Sequence, residues 1–252
     1  MRDGSALGAK MFNMYKLATV IGCVALSFAA AEAQAYNLVT NGGFESTTNG
    51  GGQMGSVTNA TGWVTSGYNF IFTPGSADTT GVQSSQYGAL QLWGPNNGGD
   101  PSNTLGASPD GGNYVGADGA FQVGAITQTI TGLVAGQRYS VGFDWAGAQQ
   151  EGFTGTTTEQ WIVSLGSQTQ ATSIVTDVSH GFTGWNHTTF TFTADGSSDV
   201  LSFLAAGTPD GEPPFSLLDG VTMTAVPEPA SMAIMGTGLA ALGFIRRRRA
   251  RK

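Results

Sequence analysis

An all-β sandwich is the fold this sequence predicts, and three observations carry the prediction. Short segments between residues 87 and 224 alternate apolar with polar side chains at period 2, the pattern of strands buried on one face. Glycine fills 39 of the 252 positions, roughly twice the usual share of about 7%. Together with Thr, Ser and Asn it supplies turns between the alternating segments. Outside the two chain ends, no window longer than about ten residues carries a helical period. Strands of this kind bury their apolar faces by packing as two sheets.

The chain opens on a targeting pattern. Lys10 and Lys16 precede an apolar run from Leu17 to Ala31, and Ala33-Gln34-Ala35 is a small-x-small cleavage site that leaves Tyr36 as the new N-terminus. Residues 1–35 therefore read as a secretory signal peptide, a substrate of signal peptidase. Met11 and Met14 offer later starts than Met1, so residues 1–10 carry no argument. Val20-Ile21-Gly22-Cys23 also fits a lipoprotein processing box, although its apolar lead is short.

Residues 36–225 form the predicted sandwich. They hold 14 acidic residues against one basic residue, Arg138, for a net charge of −13. Such a surface repels nucleic acid, and no nucleic-acid partner is expected. The lone cysteine, Cys23, lies in the signal peptide, so the domain folds on its core without a disulfide.

Strands follow from the alternation. Tyr139, Val141, Phe143 and Trp145 share one face, as do Trp161, Val163 and Leu165, and Phe190, Phe192 and Ala194. Further strands are expected at 87–93, 125–131, 172–176, 200–205 and 217–224. Two segments break the spacing: residues 46–62 and 95–113 are too long for ordinary connections. Rich in Gly, Asn, Ser and Thr, they read equally as sugar-binding loops or as solvent-swollen linkers.

Stacking on a sugar needs an exposed aromatic face with polar neighbours for the hydroxyls. Trp93, at a strand end opening into the second long loop, is the first candidate platform; Trp63 and Tyr68 follow. Catalysis finds less support. His180 and His187 are the only histidines, and they read as surface residues more readily than as a metal pair. No nucleophile elbow, His-Glu-x-x-His helix or phosphate loop is present. The many carboxylates leave a glycoside hydrolase as a remote alternative.

In the period-2 register of Leu217, Asp219, Val221 and Met223, the Asp219 carboxylate falls among apolar side chains. Burial there demands a partner: Arg138, a cation, backbone donors or a locally shifted register.

The tail, residues 226–252, has three parts. Pro227, Glu228 and Pro229 form a rigid motif, residues 230–245 are almost wholly apolar, and residues 246–252 are almost all basic. As a helix the apolar run spans about 24 Å, short of a hydrocarbon layer of about 30 Å. The basic end holds itself inside and leaves the rest of the chain outside.

Order and residue types of this tail resemble the PEP-CTERM sorting signal of exported bacterial proteins. The resemblance implies exosortase as a partner acting at Pro227–Pro229, a transient inner-membrane helix, and final residence in the cell envelope or extracellular matrix.

The domain itself carries ordered blocks: Asn37 to Glu45, Gln128 to Leu133, Gly136 to Tyr139, Trp185 with Phe190 to Ala194, and Leu218 to Thr222. In that order they resemble galactose-binding-like jelly rolls, a fold of many carbohydrate-binding modules and bacterial surface proteins. The resemblance implies a structural Ca²⁺ held by Glu45 and Asp219, with carbonyls and water completing its oxygens. Two functions follow as expectations: a non-catalytic surface or matrix protein holding exopolysaccharide or other envelope material, or a carbohydrate-binding module with a defined glycan site.

Overall fold

The computed structural model describes residues 36–79, 83–227, 236–238 and 247. The signal peptide 1–35, Glu228, Pro229 and nearly all of the expected apolar helix 230–245 and basic end lie outside the described residues. Among the described residues, no helix is long and apolar enough to cross a membrane.

Alternation in sequence becomes a jelly-roll sandwich of two antiparallel sheets. The first runs, edge to edge, β1 (Gly52–Gln53), β3 (Asn69–Phe72), β6 (Tyr114–Asp118), β14 (Pro214–Ala225), β8 (Arg138–Gln149) and β12 (Asn186–Thr193). The second runs β10 (Gln168–Ala171), β9 (Thr157–Leu165), β13 (Ser198–Thr208), β7 (Ile126–Thr131) and β2 (Val64–Thr65), with β11 (Val175–Asp177) also paired to β9. A separate hairpin joins β4 (Gln83–Ser85) to β5 (Gly88–Leu90).

Between the sheets lies the main core. Val141, Phe143 and Trp145 of β8 meet Trp161, Val163 and Leu165 of β9, with Phe192, Leu201 and Phe203 filling the layer. Polar edges of these rings are satisfied within it: the Trp161 Nε1–H donates to the Leu217 carbonyl at 2.9 Å. A second apolar layer covers the other face of the first sheet. Phe70, Phe72, Tyr114, Ala146, Ala148, Phe215 and Leu217 pack there against Leu90, Leu92 and Leu105. Over β3, β6 and the adjoining halves of β14 and β8 the first sheet is therefore buried on both faces, whereas the edge strand β12 stays largely open.

That double burial explains two strands that the alternation missed. β3 reads Asn-Phe-Ile-Phe and β6 Tyr-Val-Gly-Ala-Asp, every residue of both being buried. A strand covered on both sides shows no period 2. Two expected strands change extent. The segment 87–93 is a strand only over Gly88–Leu90, with Leu92 in an isolated bridge to Gln150. The segment 172–176 straddles a break: β10 ends at Ala171, Thr172 is drawn back to Trp161 by two hydrogen bonds, and β11 begins at Val175.

The two long loops are tied down. Residues 46–62 fold back on themselves through Thr48 N–H to Asn59 O and Thr61 N–H to Ser46 O. In residues 95–113 the buried Asn103 amide donates to the carbonyls of Trp93, His180 and Gly181, which anchors the loop over the second apolar layer.

The uninterrupted period-2 register expected for the last strand is corrected, and the locally shifted register, one of the solutions open to Asp219, is the one observed. A bulge between Asp219 and Thr222 is centred on Gly220, whose φ of 58° suits a residue without Cβ. Before it, Leu217 and Asp219 face the outer layer; after it, Val221 and Met223 face the inter-sheet core. Asp219 thus leaves the face on which Val221 and Met223 are buried.

Candidate functional site

The sandwich presents an aromatic pocket at one end of the first sheet. Tyr68 leads into β3, Tyr87 sits at the tip of the β4–β5 hairpin, and Phe121 follows β6. Their rings form a closed trio with centroid distances of 5.3 to 5.9 Å. Tyr68 is buried, but Tyr87 is 61% and Phe121 43% exposed. With Asp118, Gln150 and Asp210 they line an open pocket of about 300 Å³.

Backbone contacts place this trio. Tyr68 N–H donates to Gln122 O at 2.9 Å, and Asp118 N–H to Tyr68 O at 3.1 Å. The chain can cross so closely because Gly67 and Gly124 face each other: a Cβ on Gly67 would lie 2.6 Å from the Gly124 nitrogen. Asp118 fixes the turn that carries Phe121, its Oδ1 accepting the amides of Ala120 and Phe121 at 2.8 and 3.0 Å. Its Oδ2 is buried and has no hydrogen-bond partner in the protein. Burial pushes the Asp118 carboxyl up to about 6, against the pull of the two amides and with a further push from Asp210. Gln122 donates to the Tyr87 hydroxyl and accepts from Gln86, so the exposed ring is held in place.

Of the three aromatic residues singled out from sequence, only Tyr68 belongs to this pocket. Trp63 is corrected: it is 3% exposed, packs on Phe44 and Phe203 in the core, and donates its Nε1–H to Asn41 O, so it presents no face to a ligand. Trp93 is partly buried; His180 covers one face of its ring and its Nε1–H donates to Phe153 O at 2.8 Å. The other two members of the trio were missed. Tyr87 was read as a strand residue, and Phe121 lies in a segment without alternation.

A second polar locus surrounds Asp219. Fully buried, it accepts a hydrogen bond from the Ser108 hydroxyl on Oδ2, while Oδ1 has no hydrogen-bond partner among the described residues. Burial raises its carboxyl to about 7 despite Ser108 and the Gly220 amide, and the charges of Asp110 and Glu45 raise it further. Glu45 turns toward the same place, its Oε1 accepting the Asn113 N–H at 2.8 Å. Gly112 stands beside it at a φ of 73°, and a Cβ there would displace the Glu45 carboxylate from this position. A Cβ on Gly43 would stand 2.9 Å from Asp110 Oδ2 and 3.8 Å from Asp219 Oδ1. Asp144, opposite Asp219 in the ladder, is held by His187 Nδ1 at 2.8 Å. Arg138 is not among the hydrogen-bond or ion-pair partners of Asp219. Among the described residues, no group of three or more His, Cys, Asp or Glu side chains is set to hold a metal ion.

His180 and His187 do not meet as a ligand pair. The first stacks on Trp93 and the second bonds Asp144.

No curated protein matches this sequence. Among solved structures, the chain is similar to a family 61 carbohydrate-binding module in complex with β-1,4-galactotriose, at 16% identity and a TM-score of 0.42 over 76% of this chain and 99% of that one. It is also similar to a family 22 xylan-binding domain from Paenibacillus barcinonensis, at 10% identity and a TM-score of 0.38 over 77% and 97% of the two chains. A family 4 module shows 17% identity and a TM-score of 0.34 over 75% and 99%. These are distant likenesses of overall shape. Residues 225–249 match the PEP-CTERM protein-sorting motif, so this chain ends in a sorting signal of exported proteins.

Proposed function

We propose that this protein is an exported, non-catalytic component of the cell envelope or extracellular matrix whose β-sandwich binds glycan at the Tyr68–Tyr87–Phe121 pocket. The observation that carries the reading is the pair of exposed rings, Tyr87 and Phe121, held rigidly over a pocket floored by a buried carboxyl. Exposed aromatic rings offer a pyranose its C–H stacking surface, and polar groups beside them select hydroxyls. Here Asp118, Gln150 and Asp210 supply those groups.

Delivery follows from the tail. Signal peptidase removes residues 1–35, the apolar segment 230–245 holds the chain transiently in the inner membrane, and exosortase acts at Pro227–Glu228–Pro229. Exopolysaccharide is the glycan class that such a destination offers.

A structural Ca²⁺ near Asp219 belongs to the same proposal. An oxygen with no partner among the described residues, on a fully buried carboxylate that no described basic side chain neutralises, fits a hard cation. Asp219 and Glu45 would hold it, with the Ser108 hydroxyl, main-chain carbonyls and water as further oxygens. Such an ion would clamp the opening segment to β14.

A glycan array probed with the purified protein tests the proposal. Binding that is lost in Tyr87→Ala supports it. Silence across neutral and acidic polysaccharides leaves the second reading, a matrix protein that acts through its bulk and charge; the domain's net charge of −13 favours that one.

A further inference from the structure

The inner face of β9 reads Thr157, Glu159, Trp161, Val163 and Leu165, all fully buried. Three large apolar residues thus follow a threonine and a glutamate on the same face. The interior of the sandwich turns polar at this end, where β11 joins the sheet. Asp177 of β11 stands directly opposite Thr157, and Val175 opposite Glu159. The pleat therefore makes Asp177 and Glu159 diagonal neighbours on one face, at the backbone spacing of about 7–8 Å usual for such pairs. Two long carboxylate side chains at that spacing can reach a common point.

Three of their four oxygens have no hydrogen-bond partner of ordinary geometry among the described residues, although the Val178 amide pulls on the Asp177 carboxyl. Glu159 is 0% exposed, and among the described residues neither of its carboxylate oxygens closes a hydrogen bond of ordinary geometry, the Thr157 hydroxyl alone standing near as a donor. Asp177 is 2% exposed and its Oδ2 likewise closes none. Across the sandwich, Glu159 lies on bare backbone: a Cβ on Gly147 of β8 would stand 2.7 Å from Oε2. Gln149, the next inward residue of β8, is spent on the Gly155 carbonyl and the His180 amide. Arg138 begins β8 nine residues before Gly147, a distance of about 30 Å along a strand. A separate observation comes from Thr157. Its side chain is wholly buried beside Glu159, near enough that its hydroxyl draws that carboxyl down against the push of burial, yet among the described residues it closes no hydrogen bond of ordinary geometry.

We propose that Glu159, Asp177 and Thr157 form a second, buried cation site, separate from Asp219, for a divalent ion of the calcium class. Glu159 provides two oxygens, Asp177 Oδ2 a third and the Thr157 hydroxyl a fourth. An all-oxygen set with two carboxylates suits Ca²⁺, which takes six to eight oxygens and accepts irregular geometry. Asp100, a surface carboxylate that already acts electrostatically on Asp177, gives the ion an acidic approach. The bound ion would tie the short β11, and the His180 segment that follows it, to the centre of the second sheet.

The competing arrangement is a pair of protonated acids. Burial pushes Glu159 up to about 8 and Asp177 to about 7. Equilibrium dialysis against calcium at about pH 8.5, above both values, removes that competitor. The native protein is compared there with Glu159→Gln, Asp177→Asn and Thr157→Val. The proposal expects each carboxylate variant to bind one calcium fewer per chain, and Thr157→Val to lose about tenfold in affinity at that site. It also expects the rise in melting midpoint on adding calcium to shrink in all three. Asp219→Asn, by contrast, should leave the calcium bound through Glu159 in place. Equal calcium content in native protein and variants would overturn the proposal. So would Glu159→Gln and Asp177→Asn raising the midpoint equally in calcium and in chelator, which identifies a proton-holding pair. Should the carboxylate variants fail to fold, Thr157→Val, which keeps the side chain's shape, decides alone.

Discussion

Trp93 and His180 stack face to face, their ring centroids 3.9 Å apart and their planes inclined by 27°. His180 adopts a φ of 62° and is fixed by its N–H to the Gln149 side chain, so it reaches the indole from a strained, well-anchored backbone. The stack joins the long loop after β5 to the segment after β11. Trp93→Ala should therefore cost stability, about 2–4 kcal/mol, and leave glycan affinity within twofold of native. Urea melts and glycan titrations of the same variant check both halves. A collapse of binding with unchanged stability would move the site from the Tyr68 pocket to this stack.

Tyr87 and Phe121 are the reverse case. Each exposes much of its ring, so Tyr87→Ala and Phe121→Ala should shift stability by about 1 kcal/mol or less. Loss of a stacking ring should lower glycan affinity about tenfold, equal to roughly 1.4 kcal/mol. Calorimetric titration with the best array ligand measures it.

Asp118 makes a pH prediction. Its folded carboxyl is raised from 3.8 to about 6, so the folded state holds a proton that the unfolded chain has released. Stability from this group is full below about pH 4 and is lost as pH rises through 6, by at most about 3 kcal/mol. Asp118→Asn keeps an oxygen for the Ala120 and Phe121 amides and carries no charge. Thermal melts from pH 4 to 7 should show a smaller decline in the variant than in the native protein.

Calcium at Asp219 is tested by linkage. With a dissociation constant of about 0.1–1 mM and about 1 mM free ion, the stabilisation is about 0.4–1.4 kcal/mol. Glu45→Gln and Asp219→Asn should each reduce the calcium-dependent part of the melting shift. A shift that survives both substitutions unchanged places the ion elsewhere.

Processing has its own readout. Mass spectrometry of envelope material should find chains lacking residues 230–252, and Glu228→Ala should leave precursor in the inner membrane. Intact chains ending at Lys252 outside the membrane would refute cleavage.

Strands buried on one face were legible because their period survives in the residues themselves: β8, β9, β12 and β13 fall where Tyr139, Trp161, Phe190 and Val200 place them. β3 and β6 were hidden by burial on both faces. The Asp219 register failed at Gly220, because a bulge changes which face follows and a single glycine in a glycine-rich chain does not announce one. The pocket was half visible. Tyr68 stood out as an aromatic residue, whereas Tyr87 and Phe121 meet it only after the β4–β5 hairpin and the turn at Asp118 are folded against the sheet. Glu159 could have been found by the reasoning used for Asp219, since it sits in strict alternation with Trp161 and Val163.

Arg138 is the sole basic residue between positions 36 and 225, and it opens the longest-paired strand of the sandwich. Its peptide bond to Tyr139 runs within a ladder, with Thr193 and Phe192 on one side and Ala225 opposite Tyr139 on the other. Proteases that cut after lysine or arginine must draw several residues of extended chain into their clefts, and here that means pulling a central strand out of its sheet. With no lysine in the domain, a trypsin-like enzyme finds one scissile bond between positions 36 and 225, paired on both sides at the start of β8. Against proteases of that specificity such a composition acts as armour: digestion of the domain waits on the opening of one strand start.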